Sequence, residues 1–413
     1  MPLGHNPNDP LSAHVAEVGK IKKPPVSAVV PKADMHGHLS LAHSVEMFVR
    51  RVKHKRTALG PDFLLERDRR YYDDLTQHHN TYESLRTITN TPQELAQVAQ
   101  TFFERTAREG GIYIETSNSF RNESDFEWQM EAIHGAIDAA KANFGITTRI
   151  VATSLRNAGH EHAEKAARYL ARNKNRFPYV TGFGLVGEEN VDAFSSYKTA
   201  LAIAFNEAGL GLAPHVSEQH PHNAVEFFDT IPREAFDIKE TDSRRLRVGH
   251  GTLVHMSSEL IKRFADHNVC FEALLSANKR IDLPAETRAM QVGHVVETAC
   301  GAKATLDQPL RRYFKDLTKH PIKDFIDAGI PVCLGSDNPL LMDTNIGKEY
   351  SQAYIAGVTD WKDTLQLTRN AIKYANIDFV ERVRLNGYLD RYDAQMKTGQ
   401  PPKTTALGYH LSY

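Results

Sequence analysis

The chain has 413 residues, an ordinary apolar fraction of 41% and a formal net charge of −1, so it offers no overall electrostatic case for nucleic acid or a membrane surface as a partner. Its three cysteines, Cys270, Cys300 and Cys333, are far apart and form no CxxC pair, which excludes a disulfide scaffold and fits a reducing, cytoplasmic compartment. No apolar run approaches the length of a membrane span, and the start, MPLGHNPNDP, lacks the apolar core of a signal peptide.

Residues 1–26 are rich in Pro, Gly, Asn and Lys without a period and are expected to form an extended arm ahead of a single domain at 27–413. A first strand is expected at about Ala28–His38. Residues 41–110 read as helical. His43–Arg56 carries Val45, Phe48, Val49 and Val52 at helical spacing. Thr91 caps PQELAQVAQTFFERTAREG, with Pro92 in the first turn and Gly110–Gly111 as the stop. Further β-rich runs follow at Ile112–Thr116, Thr148–Thr153, Val180–Val186, Gly211–His215, Leu246–His250, Val269–Leu274 and Ile330–Leu334, nearly all separated by helical stretches such as SDFEWQMEAIHGAIDAAKANFG and SYKTALAIAFNEAGLG. Eight strands alternating with helices predict a parallel sheet with right-handed crossovers, closed into a (β/α)8 TIM barrel with extra helices over its C-terminal face. An open doubly wound sheet would carry a Gly-rich phosphate loop after its first strand, where this chain has HGHLS. The segment Lys279–Lys319 is expected to form helices over or beside the barrel mouth, because AETRAMQVGHVVETAC and QPLRRYFKDLTK space their apolar residues compatibly.

A barrel presents its catalytic groups at the C-terminal ends of its strands. Those ends carry His36 and His38 after strand one, Gly187-Glu188-Glu189 after strand four, His215 and Glu218 after strand five, His250 after strand six, Ser276 and Asn278 after strand seven, and Asp337 and Asn338 after strand eight. Two histidines one residue apart on a strand point to the same side. Strands one and eight adjoin in a closed barrel, so His36, His38 and Asp337 can converge, with His215 approaching from the opposite wall. With 20 histidines in the chain, a solvated or locally satisfied ring is the plainer reading of each one alone; their combination at four strand ends outweighs it. Three imidazoles and a carboxylate suit a zinc-like ion, which lowers the pKa of a bound water to about 7. Glu218 is placed to deliver a proton, and His250, flanked by glycines, to orient the attacking oxygen or accept its proton.

The stretches KADMHGHLS, GFGLVGEE, HVSE, RVGHG, LLSAN and HPIKDFIDAGIPVCLGSDNP, followed by Glu349-Tyr350, resemble the adenosine/AMP deaminase branch of the amidohydrolase superfamily in content and order. The resemblance implies His36, His38, His215 and Asp337 as ligands of one zinc per chain. It implies Glu218 as the proton donor to N1 of a purine, His250 and Asp337 as catalytic partners, Gly187 at N3 through its backbone, and Asn338 near N7. Binuclear relatives use a modified lysine after strand four, where this chain has GLVGEEN, which favours one metal. Three departures bear on the substrate. Ser40-Leu41 replaces the Asp-Gly pair whose aspartate holds the ribose 5′ end, Asn338 replaces a second aspartate while still able to donate to N7, and Leu274-Leu275 replaces a Cys-Pro. The expected activity is hydrolytic removal of the 6-amino group or a 6-substituent from an adenine-type purine. Candidates are adenosine, a 5′-modified adenosine or nucleotide, a 6-substituted purine or a bare base, with weak preference for unmodified adenosine. Action on another heterocycle or amide, and a silent descendant that only binds, are the rivals. The basic run Arg50–Arg56 could hold a phosphate, although Glu66, Asp68, Asp73 and Asp74 dilute its field and favour a solvated helix face.

Overall fold

The computed structural model describes residues 30–55 and 70–399; the expected arm at 1–26, and Arg56, Glu66 and Asp68, lie outside the described residues. Eight strands follow one another around a ring. They are β1 (Lys32–His38), β2 (Gly111–Phe120), β3 (Thr147–Leu155), β4 (Val180–Val186), β5 in two pieces (Gly211–Leu212 and His215–Val216), β6 (Arg247–His250), β7 (Cys270–Ala273) and β8 (Val332–Leu334). Every neighbouring pair is parallel, in the order of the chain. β5 is split because Pro214 has no N–H to give to a ladder. The ring continues across that gap through Ala213 N to Phe183 O (2.9 Å) and Gly249 N to Pro214 O (2.9 Å). At the seam, β1 meets the residues after β8 through the parallel bridge Gly37–Asp337, with His38 N donating to Asp337 O (2.6 Å) and Asp337 N to His36 O (2.7 Å). The expected barrel is therefore present, joined at its seam by one bridge pair instead of a long ladder.

The helices wrap this ring for sequence-local reasons. Between β1 and β2 lie α1 (Val45–Lys55), α2 (Leu75–Arg86) and α3 (Pro92–Arg108). The α3 start is the expected one: Thr91 accepts from Glu94 N at 3.2 Å and Pro92 sits in the first turn. Its buried face, Leu95, Val98, Ala99, Phe102 and Phe103, recurs at helical spacing and joins the main core. Each fully buried phenylalanine contributes roughly 1.5–3 kcal/mol. α4 (Glu123–Phe144) is capped by Asn122 and closed by Gly145 at φ 70°. Arg50 pairs with Glu46 on the exposed face of α1, while the buried Arg51 bonds His43, Thr89 and the carbonyl of Glu94 and is committed to the fold.

The segment Lys279–Lys319 departs from the expected helices. Between the end of the helix Leu275–Arg280 and a 3-10 turn at Leu317–Lys319 it holds one short helical turn, Ala285–Arg288, and an antiparallel hairpin of Val295–Glu297 with Lys303–Thr305. Gly293 (φ 92°) and Gly301 (φ 82°) break any helix there, and the β-branched run alternates exposed, buried, exposed, turning Val296 and Ala304 inward. The segment is tied to the loops beyond β5 and β6 by Thr287 Oγ1 to Gln219 O (2.7 Å) and Gln308 N to Met256 O (3.1 Å). It thus lies beside the barrel mouth. Among the described residues, no helix is long and apolar enough to cross a membrane.

Candidate active site

Three strand ends carry non-glycine residues in the left-handed region: Ser217 (φ 54°) after β5, His250 (φ 63°) in β6 and Asp337 (φ 54°) after β8. Such a residue costs about 1–3 kcal/mol, and here it swings the chain sharply at the mouth of the ring. The side chains gathered there are buried. His36 Nε2 and His215 Nε2 lie 3.0 Å apart, and His38 Nε2 lies 3.2 Å from Asp337 Oδ1. Ligand nitrogens of His36, His38 and His215 all fall within 4.8 Å of one another.

The other ring nitrogens are engaged behind the cluster. His36 Nδ1 is 2.5 Å from Glu272 Oε2, and His38 Nδ1 is 2.9 Å from Ser117 Oγ. With Nδ1–H facing the Glu272 carboxylate, His36 turns an Nε2 lone pair toward the partner ring. Burial lowers His215 well below the usual imidazole value. Burial raises Asp337, but the His38 hydrogen bond and neighbouring imidazoles hold it well below the usual carboxylate range. Three imidazoles crowded against the Asp337 carboxylate, with two facing nitrogens at contact distance, fit a divalent cation between them.

Glu218 sits over the same cluster, its Oε2 3.4 Å from His250 Nε2 and 3.7 Å from His215 Nδ1. Burial, then the negative charges of Asp337 and Glu189, push its carboxyl well above the usual range, which favours the protonated form. Glu189 secures the loop that carries it by accepting from the backbone N–H of Glu218, Gln219 and His220 at 3.2, 2.8 and 2.9 Å. His250 is kept neutral by burial, which lowers it to about 3. Its tautomer follows from a chain of bonds. Ile322 N donates to His320 Nδ1 (3.2 Å), so His320 Nε2 donates to Asn278 Oδ1 (3.2 Å). Asn278 Nδ2 then faces His250 Nδ1 (3.2 Å), which must accept, and the proton of His250 lies on Nε2, on the side of Glu218 Oε2.

A cavity of about 70 Å3 opens over these groups, with His38, His215, Glu218, His250, Asp337, Asn338 and Gly187 in its walls. Gly187 has φ 92°, and a Cβ there would stand 2.5 Å from Asn157 Oδ1, so only glycine fits. Ser40 is not in that wall; it bonds the phenol of Tyr82. α2 closes the mouth with Leu75, His78, His79, Tyr82 and Glu83, a stripe at helical spacing, and Arg121 lies at the end of β2.

The reading of the strand ends did not single out Glu272, Arg247, Glu115 or Ser117. Arg247 is fully buried between Glu272 Oε1 (2.6 Å) and Glu115 Oε2 (2.5 Å), and Asn376 N donates to Glu115 Oε1 (2.6 Å). This chain of charges backs His36 from the floor of the barrel. The available signal was a charged residue inside each of three buried strands.

The profile of the adenosine deaminase family matches residues 31–312 and 310–392. Adenine deaminase of Sinorhizobium fredii is 28% identical over 366 residues, spanning 87% of this chain and 98% of that protein. The crystal structure of adenine deaminase from Arthrobacter aurescens superposes with a TM-score of 0.70 at 18% identity, covering 88% of this chain and 99% of that one. An amidohydrolase from Burkholderia ambifaria, solved with bound Zn, gives a TM-score of 0.65 at 16% identity over 92% of this chain and 98% of that one. The chain belongs to the adenosine deaminase family of the amidohydrolase superfamily, hydrolases that act on C–N bonds of cyclic amidines.

Proposed function

We propose that this protein is a zinc-dependent deaminase of an adenine-type purine, with one zinc held by His36, His38, His215 and Asp337. The observation that carries it is the placement of the buried Glu218 carboxyl beside that ligand set. Nitrogen ligands with a carboxylate suit zinc, and the B. ambifaria relative was solved with it. A single metal is favoured because Gly187-Glu188-Glu189, not a lysine, follows β4. Bound there, the ion would supply Lewis acidity that activates a water.

The reaction adds the water oxygen to C6 of the ring and breaks the C6–N6 bond, leaving a 6-oxopurine and ammonia. Glu218 gives its proton to N1, which takes up the negative charge that attack at C6 pushes into the ring. His250, with its proton on Nε2, donates a hydrogen bond that orients the attacking oxygen. The ionised Asp337 is left as the acceptor of one water proton, which passes to N6 as the amine departs, and the second water proton, on the new C6 hydroxyl, restores Glu218. Gly187 lets the backbone approach the N3 edge, and Asn338 borders the far edge. Ser40, turned to Tyr82, leaves the ribose 5′ end without its usual aspartate. A bare base therefore suits the small cavity best, and S. fredii adenine deaminase is a relative along nearly its whole length.

Ammonia release from adenine, adenosine, AMP and 6-substituted analogues tests the reading. Adenine should be the best of them. Release only from an unrelated heterocycle or amide would move the protein elsewhere in the superfamily, and release from none would make it a binding protein. A second expectation concerns Glu272, which fixes the orientation of His36. Glu272→Gln should weaken zinc binding about 10–100-fold, read by competition with a chromophoric chelator. Unchanged affinity would mean that packing alone holds His36.

A further inference from the structure

A cleft of about 530 Å3 opens at the opposite end of the ring from the catalytic groups. Its walls include Arg245 and Leu246, just before β6, and Val269, just before β7, so it sits where those strands begin. The helix Trp361–Lys373 supplies Lys373, and the helix Phe379–Lys397 supplies Arg382 and Asn386. Small-molecule sites span ~300–1,000 Å3, so the space is large enough for a ligand.

The walls carry charge that the fold does not balance. Arg245 and Arg382 are only 7% and 4% exposed, and among the described residues all their hydrogen bonds go to backbone carbonyls. Both donate to the carbonyl of Glu240, at 2.8 and 2.9 Å, which sets the two guanidinium groups side by side. Burial, then the like charge of Arg382, lowers Arg245 only to about 10, so it remains a cation at neutral pH. Buried arginines ordinarily meet a carboxylate. Here Asp242 is taken by Arg244 (Nη2 to Oδ2, 2.7 Å) and Asp390 by Arg369 (2.8 Å). Glu240 is the one carboxylate among the described residues of the wall, and Lys373 offsets it in number. The carbonyls of Ile372, Lys373 and Ala375 lie at a helix C-terminus, which is equivalent to roughly half a negative charge. Two buried cations against that half charge leave a positive surplus.

We propose that this cleft is a second ligand site, which takes a phosphate monoester carried on an apolar or aromatic body. The dianion offsets the surplus of Arg245 and Arg382. Arg245 has spent four of its five N–H donors, and Lys373 and Asn386 add donors in the wall. Phe236, Leu246, Val269 and Tyr374 give the body an apolar surface.

Equilibrium dialysis of phenyl phosphate against the full-length protein, at fixed ionic strength, tests this. Phenyl phosphate should bind at least about tenfold more tightly than inorganic phosphate, because its ring is buried, and phenol should not bind measurably. Lys373→Glu, at an exposed position, should weaken phenyl phosphate about 10–100-fold, and Lys373→Arg should retain it. Asn386→Asp, one helical turn from Arg382, should weaken it likewise by supplying the missing carboxylate. Thermal unfolding like that of the unaltered protein would show that the variants are folded. Failure of phenyl phosphate to bind, equal binding of phenol or of inorganic phosphate, or binding that survives both Lys373→Glu and Asn386→Asp, as a phosphate resting in the active site would, would overturn the proposal.

Discussion

Glu218→Gln is expected to lower kcat by about 10²–10⁴-fold while leaving fold and metal content unchanged. Attack at C6 pushes negative charge into the ring, and a proton delivered to N1 cancels it as it develops. Glutamine keeps the size of the side chain and can donate a hydrogen bond, but it cannot hand over a proton. Ligand binding should therefore survive, and the loss should fall on kcat more than on KM. The surroundings also favour a clean outcome. Glu218 is buried and its carboxyl is pushed toward the protonated form, which the neutral isostere resembles. The backbone of its loop is held by Glu189, not by its own carboxyl. Metal analysis and steady-state kinetics on the same preparation would check this. Loss of metal with activity would make Glu218 a ligand or a support for one, and full activity would remove it from the chemistry.

His215→Ala should behave differently. It takes away a nitrogen that lies 3.0 Å from His36 Nε2 and belongs to the group of ligand atoms within 4.8 Å of one another. Zinc content and turnover should fall together, and added zinc should restore part of both. The chain itself should still fold, because the backbone bonds of β5 to β6, and that of Arg156 to the His215 carbonyl, do not use the imidazole. Metal retained at one equivalent per chain in His215→Ala would take this residue out of the ligand set.

Much of this site was legible in the chain because barrel chemistry concentrates at strand ends. His36, His38, His215, His250 and Asp337 all close or follow apolar β-rich runs, and the structure brings the last four around one cavity with His36 against His215 behind it. The α3 cap was equally local: Thr91, Pro92 and Glu94 lie within one turn. What could not be read is what depends on partners far along the chain. Glu272 meets His36 across 236 residues, and Arg247 meets Glu115 across 132, so neither pairing leaves a spacing to recognise. The cover over the mouth, LTQHHNTYESLR, is polar and has only two buried residues, His78 and Leu85, so its working face does not look apolar. The hairpin at 295–305 was misread as helix because a few apolar residues satisfied a helical spacing, while Gly293 and Gly301 decide the backbone.

The most direct measurement is a zinc titration of metal-depleted protein, following conversion of adenine to hypoxanthine together with ammonia. The account predicts no turnover without metal, a linear rise that breaks at one zinc per chain, and one ammonia for each hypoxanthine formed. Turnover that is indifferent to zinc, a break at two equivalents, or a fully metallated protein that releases no ammonia from adenine would contradict it.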